Sequence, residues 1–140
     1  MGMEDVREGG CLCGAIAYRI AGPLVDAGYC HCRLCQRAAG SPAVAWLTVA
    51  NGDFGYTRGT PALYYSSADY QREFCASCGS PLAFRRRGDA RTVDVTIATL
   101  ADPAAVVPEY HIWRASRLHW FEVDDALPRY DDGGPDRAND

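Results

Sequence analysis

The chain has 140 residues, 48% of them hydrophobic, enough for one domain with a modest core. Its net charge of -4 excludes the basic footprint of a general nucleic-acid or anionic-membrane binder. All fourteen cationic residues are arginine, so lysine Schiff-base and lysine general-base chemistry are excluded too.

Residues 1–8 read as a flexible, polar N-terminus, and Met1 to Val6 lack the basic and apolar regions of a secretory signal. Gly9-Gly10 lead into the first cysteines. Ala15 to Ile20 alternate, which places Ile16, Tyr18 and Ile20 on one face of a strand. One or two helical turns are expected from Cys32 to Ala39. Val44 to Val49, with Trp46, reads as a second strand, and the apolar run from Pro42 to Ala50 is far too short to cross a bilayer. Leu63 to Tyr65 forms a third strand, entered from a turn at Gly59-Thr60-Pro61. Gln71 to Phe74 and Pro81 to Arg86 flank a tight hairpin at Cys75-Ala76-Ser77-Cys78-Gly79. Arg85-Arg86-Arg87 at its far end read as a solvated turn. Val93, Val95 and Ile97 alternate cleanly with Thr92, Asp94 and Thr96, the clearest strand in the chain. Pro103 suits the first position of a short helix. Leu118 to Val123 is expected as the last strand. Residues 131–140 have no apolar anchor and read as a disordered tail. The sum is a mainly β domain over residues 9–130, with little helix and with metal-pinned turns.

Seven cysteines fall in three clusters: Cys11-x-Cys13, Cys30-x-Cys32-x-x-Cys35 and Cys75-x-x-Cys78. With no sign of export, the expected compartment is the cytoplasm, where clustered thiols more often hold metal than form disulfides. Tetrahedral zinc requires sulfurs about 3.8 Å apart, as follows from a Zn–S bond near 2.3 Å. A C-x-x-C turn supplies that spacing, and Gly79 can take the positive φ such a knuckle favours. The simplest partition is four and three. Cys11, Cys13, Cys75 and Cys78 make a closed site that contributes folding energy, while Cys30, Cys32 and Cys35 leave a fourth position open, the arrangement of a catalytic zinc. Three alternatives stay open at this level: a redox pair at Cys75 and Cys78, iron–sulfur ligation, and closure of the three-cysteine site by His111 or His119. His31, between two ligands, points the other way.

These residues resemble the glutathione-dependent formaldehyde-activating family, whose broader grouping includes centromere protein V. The matching stretches are Gly9 to Tyr18, Cys30 to Arg37 with Gly40-Ser41-Pro42, Phe74 to Leu82, His111 to Trp113, and Leu127-Pro128. The resemblance implies a small β-tent fold and the same four-and-three division, with Cys30, Cys32 and Cys35 as the catalytic set. It implies two zinc ions per chain, a small thiol such as glutathione and an aldehyde as partners, and a carbon–sulfur lyase-type reaction on their adduct. Arg33 and Arg37, near the open site, are candidates for the carboxylates of a peptide thiol, and His31 or His111 for a proton shuttle. The rival reading is a non-catalytic module with two structural zincs that docks a protein partner.

Overall fold

The computed structural model describes residues 6–135. Ten strands follow in chain order: β1 (Val6–Gly10), β2 (Ala17–Ala21), β3 (Leu24–Cys30), β4 (Val44–Ala50), β5 (Phe54–Arg58), β6 (Ala62–Tyr64), β7 (Tyr70–Phe74), β8 (Pro81–Arg86), β9 (Thr92–Thr96) and β10 (His111–Ile112). One α-helix, α1 (Arg33–Ala39), lies between β3 and β4, and short 3-10 turns fill several connections. The chain is mainly β, as its punctuation by glycine and proline suggests. No helix among the described residues is long and apolar enough to cross a membrane.

The strands form two sheets. A small one has the order β1-β2-β5, and a large one runs β10-β3-β4-β9-β8-β7-β6. Pairing is antiparallel except at β10, which lies parallel to β3. The central strands are covered on both faces. Leu47, Val49, Val93 and Val95 face a core shared with Tyr18, Ile20 and Phe54 of the small sheet. The alternate residues are not solvated: Thr48, Asp94 and Thr96 are buried too. Register places Thr48 opposite Asp94, and Asp94 opposite Phe84, so the second face of the sheet builds a wall of its own.

Several expectations are corrected here. Leu118 to Val123 forms no strand; Phe121 N–H turns back onto the Leu118 carbonyl, and side chains hold the segment instead, Glu122 being taken by Arg114 and Arg129. Val6 to Glu8, read as part of a flexible start, pair with β2, while residues 1–5 lie outside the described residues. Residues 131 and 132 are docked: Ala115 N–H donates to the Asp131 carbonyl and Trp113 N–H to that of Asp132, at 3.4 and 2.8 Å. The rest of the expected tail, residues 136–140, lies outside the described residues. Arg85 is no solvated turn residue. It leaves β8 to meet the buried carboxylate of Glu73 at 2.6 Å.

Candidate metal centres

Cys11 and Cys13 sit in the turn between β1 and β2, and Cys75 and Cys78 in the turn between β7 and β8. All four sulfurs lie within 4.8 Å of one another, although Cys13 and Cys75 are 62 residues apart in the chain. Two of the contacts, Cys11 to Cys13 and Cys13 to Cys75, measure 3.7 Å, close to the edge of a zinc–sulfur tetrahedron. The local backbone is shaped for anionic sulfur. Ile16 N–H donates to Cys11 Sγ at 3.2 Å, and Gly79, at φ 80°, turns its N–H onto the Cys75 carbonyl at 2.8 Å. Ser80 ties the two turns together: its Oγ accepts from Leu12 N–H at 3.0 Å and lies 3.2 Å from Cys78 Sγ. That Ser80 hydroxyl, with backbone donors, holds the Cys78 thiol down to about 5.

The second cluster is local. Cys30 ends β3, Cys32 caps α1 and Cys35 stands in its first turn, their sulfurs again within 4.8 Å of one another. The helix forms because Cys32 Sγ accepts the Cys35 N–H at 3.3 Å, doing with sulfur what serine or aspartate does at most N-caps. Gly40, at φ 63°, closes the other end. Hydrogen bonds from the neighbouring thiols Cys30 and Cys35 lower the Cys32 pKa, and the same contact raises that of Cys30. Three soft sulfurs at this separation suit a thiophilic cation such as zinc. No histidine or carboxylate among the described residues joins the group.

A chamber of about 310 Å³ opens directly on these three cysteines. Trp46, Phe84, Tyr110, Ile112 and Trp113 supply much of its wall, and Thr48 and Asp94 line it as well. Thr48 Oγ1 donates to Asp94 Oδ1 at 2.5 Å. Arg72 of β7 reaches the sulfurs: its Nη2 donates to Cys35 Sγ at 3.8 Å while its guanidinium lies 5.0 Å over the Phe84 ring. A second groove of about 540 Å³ adjoins the chamber, and the two share Leu34, Trp46 and Arg72.

The model of the glutathione-dependent formaldehyde-activating enzyme family matches residues 6–116. The chain belongs to this family. A Halomonas elongata protein that bears the family's name provisionally is 25% identical over 126 residues, spanning 84% of this chain and 80% of that one. A crystal structure of a Rhodobacter sphaeroides protein superposes with a TM-score of 0.56 at 22% identity, covering 87% of this chain and 98% of that chain, which is a likeness of fold.

Within this member of the formaldehyde-activating family, the helper residues expected from sequence are distributed differently from the cysteines. Arg33 is turned along the helix, its Nη1 donating to Gln36 Oε1 at 2.7 Å, and does not line the chamber. Arg37 lines the second groove. His31 does not line the chamber; it is fully buried, its Nε2 2.9 Å from His111 Nδ1. Burial, and then the neighbouring charges of His111 and Arg114, push His31 down to about 4, so it stays neutral at pH 7. His111 Nε2 meets Asp125 at 2.9 Å, and Arg129 bonds the same carboxylate at 2.9 Å. Both ring nitrogens of His111 are thus engaged within the protein. His119 is exposed and outside the cluster. The residues that sequence reasoning missed are Arg72 and Asp94. Each was visible only as one polar position in an alternating strand.

Proposed function

We propose that this chain is a zinc enzyme that forms or cleaves the bond between a small thiol and an aldehyde carbon, as in S-hydroxymethylglutathione. Cys11, Cys13, Cys75 and Cys78 hold a structural zinc, and Cys30, Cys32 and Cys35 hold the catalytic one. The observation that carries this reading is a three-sulfur cluster, with no fourth protein ligand among the described residues, that opens on a closed-in chamber. Family membership and the name of the Halomonas relative support the substrate class.

Zinc bound there would supply a cationic position that lowers the pKa of an incoming thiol. The chain's own residues do the rest. Arg72, whose Nη2 donates to Cys35 Sγ, offsets the negative charge that three thiolates place on the cluster. The largely apolar wall disfavours water, which competes with the thiol for an aldehyde. Asp94, which accepts from Thr48, places a carboxylate on the chamber wall. Arg37, in the adjoining groove, is placed for a carboxylate of the thiol rather than for the reacting carbon.

The test is an exchange measurement. Glutathione and formaldehyde combine unaided, so the interconversion rate with S-hydroxymethylglutathione is read by NMR exchange spectroscopy with and without protein. Acceleration by the zinc-replete wild type, absent in Cys35→Ser, supports an enzyme. An unchanged rate in both, with two zincs retained in the wild type, leaves a non-catalytic zinc module.

A further inference from the structure

Resting on the thiol–aldehyde reading, we infer that the chamber takes an adduct carrying a ring-sized apolar group, such as the thiohemiacetal of an aromatic aldehyde, in preference to the one-carbon adduct of formaldehyde. The reaction is the same. The thiol sulfur joins the carbonyl carbon, the C=O π bond opens and the thiol proton passes to the oxygen; cleavage reverses each change, and no oxidant or reductant enters.

Volume is the first argument. A hydroxymethyl group needs the space of roughly two waters, at about 30 Å³ each. The chamber in front of the cysteines has about 310 Å³. The excess is not set aside for the charged body of glutathione, because the wall is aromatic and its two charges are already engaged. Arg72 is held by Cys35 Sγ and stacked on Phe84, and Asp94 accepts from Thr48. A tripeptide with two carboxylates and an ammonium is better matched to the adjoining groove, where Arg37 lies and which meets the chamber at Leu34, Trp46 and Arg72. The chamber is then left for whatever the reacting carbon carries.

Trp113 is the second argument. Among the described residues it is the one non-glycine with positive φ, at 57°, a conformation that is costly for a bulky side chain. It is kept there from outside. Its N–H donates to the Asp132 carbonyl at 2.8 Å, Arg114 N–H donates to that of Tyr130 at 3.0 Å, and a Cβ at Gly133 would sit 3.5 Å from the indole. The strained backbone sets a 40% exposed indole on the chamber wall. An aromatic residue exposed at such cost is placed to meet an aromatic ligand, and Gly28 makes the parallel case inside. A side chain at Gly28 would collide with the Tyr110 ring, which packs close against β3 there and lines the chamber.

The probes are three stable compounds titrated into the purified full chain by calorimetry: glutathione, S-methylglutathione in place of the one-carbon adduct, and S-benzylglutathione in place of the aryl one. S-benzylglutathione is expected to bind at least about tenfold more tightly than S-methylglutathione, from the added apolar burial. Trp113→Ala, at a half-exposed site outside the core, should weaken the benzyl compound by about fivefold or more and the methyl compound by less than about twofold. Phe84→Leu repeats the test on the inner wall. Equal or weaker binding of the benzyl compound, with glutathione and the methyl compound still bound, overturns the aryl preference and leaves the thiol reading standing. Failure of all three to bind overturns the thiol reading, and the aryl preference with it.

Discussion

The four-cysteine and three-cysteine clusters use the same ligand atom to join very different lengths of chain. The first brings together turns from the small and the large sheet, with Cys13 and Cys75 separated by 62 residues. The second gathers the end of β3 and the first turn of α1 within six positions, from Cys30 to Cys35. Closing a long loop costs more chain entropy than closing a short one, so a metal at the first site constrains far more of the unfolded chain. Position in the fold separates them as well. The four-cysteine cluster is tied shut by Ser80 and backbone N–H groups, whereas the three-cysteine cluster faces a chamber. The comparison teaches that ligand number alone does not divide structure from chemistry; what each set of sulfurs faces matters as much.

The sharpest way to break this contrast is to remove one ligand from each site. Cys78→Ser should cost most. Structural zinc is worth about 10–16 kcal/mol in small metal-dependent domains, against a net stability of roughly 5–15 kcal/mol, so the expected outcome is an unfolded chain by circular dichroism. Cys35→Ser should leave a folded protein that binds one zinc by metal quantitation. If Cys35→Ser unfolds the chain and Cys78→Ser does not, the roles are reversed.

A second tie between the sheets gives the next largest effect. Glu73 of β7 accepts from Tyr56 of β5 at 2.8 Å and pairs with Arg85, its side chain 1% exposed. Arg85→Ala leaves that carboxylate buried without its partner and should cost about 3–5 kcal/mol in urea unfolding. Burial alone would raise the Glu73 pKa, but Arg85, Gln71 and Tyr56 outweigh it and hold the carboxyl below its ordinary value of 4.5. A folded pKa below the unfolded one contributes stability that is present above pH 4.5 and lost as pH falls through the lower, folded value. Glu73→Gln should therefore be less stable than the wild type at pH 7, and the difference should shrink on acidification below pH 4.5, as read from urea midpoints.

The smallest effect is expected at Arg33, which bonds Gln36 and does not line the chamber. Arg33→Ala should change stability by less than about 0.5 kcal/mol and leave thiol affinity unchanged. Arg37→Ala should weaken it, since Arg37 lines the groove proposed for the thiol's carboxylates. A reversed order of the two in the same titration would move the carboxylate contact from Arg37 to Arg33.

Much of this is legible in the sequence. The spacing of the cysteines groups them correctly because a metal's ligand distances are short and a C-x-x-C turn can meet them locally. The helix after Cys32 and the strand through Val93 and Val95 also follow from local pattern. Strand β1, with Gly9 and Gly10, was hidden because its stability comes from β2 and not from its own propensities. A Cβ at Gly9 would strike Tyr18 of β2, so a residue that reads as flexible is there for close packing. The opposite error occurred at Leu118 to Val123, where β-forming residues found no strand edge and were held by arginine–carboxylate contacts instead.

Local sequence thus settles which side chains can serve as ligands, since ligand chemistry belongs to the residue and turn geometry to its immediate neighbours. Which of those ligands faces a chamber depends on contacts between strands distant in the chain. Arg72, Asp94 and Trp113 meet around Cys30, Cys32 and Cys35 only because β7, β9 and β10 take their places in one twisted sheet. That order of strands is a property of the whole packed core, which no window of sequence contains.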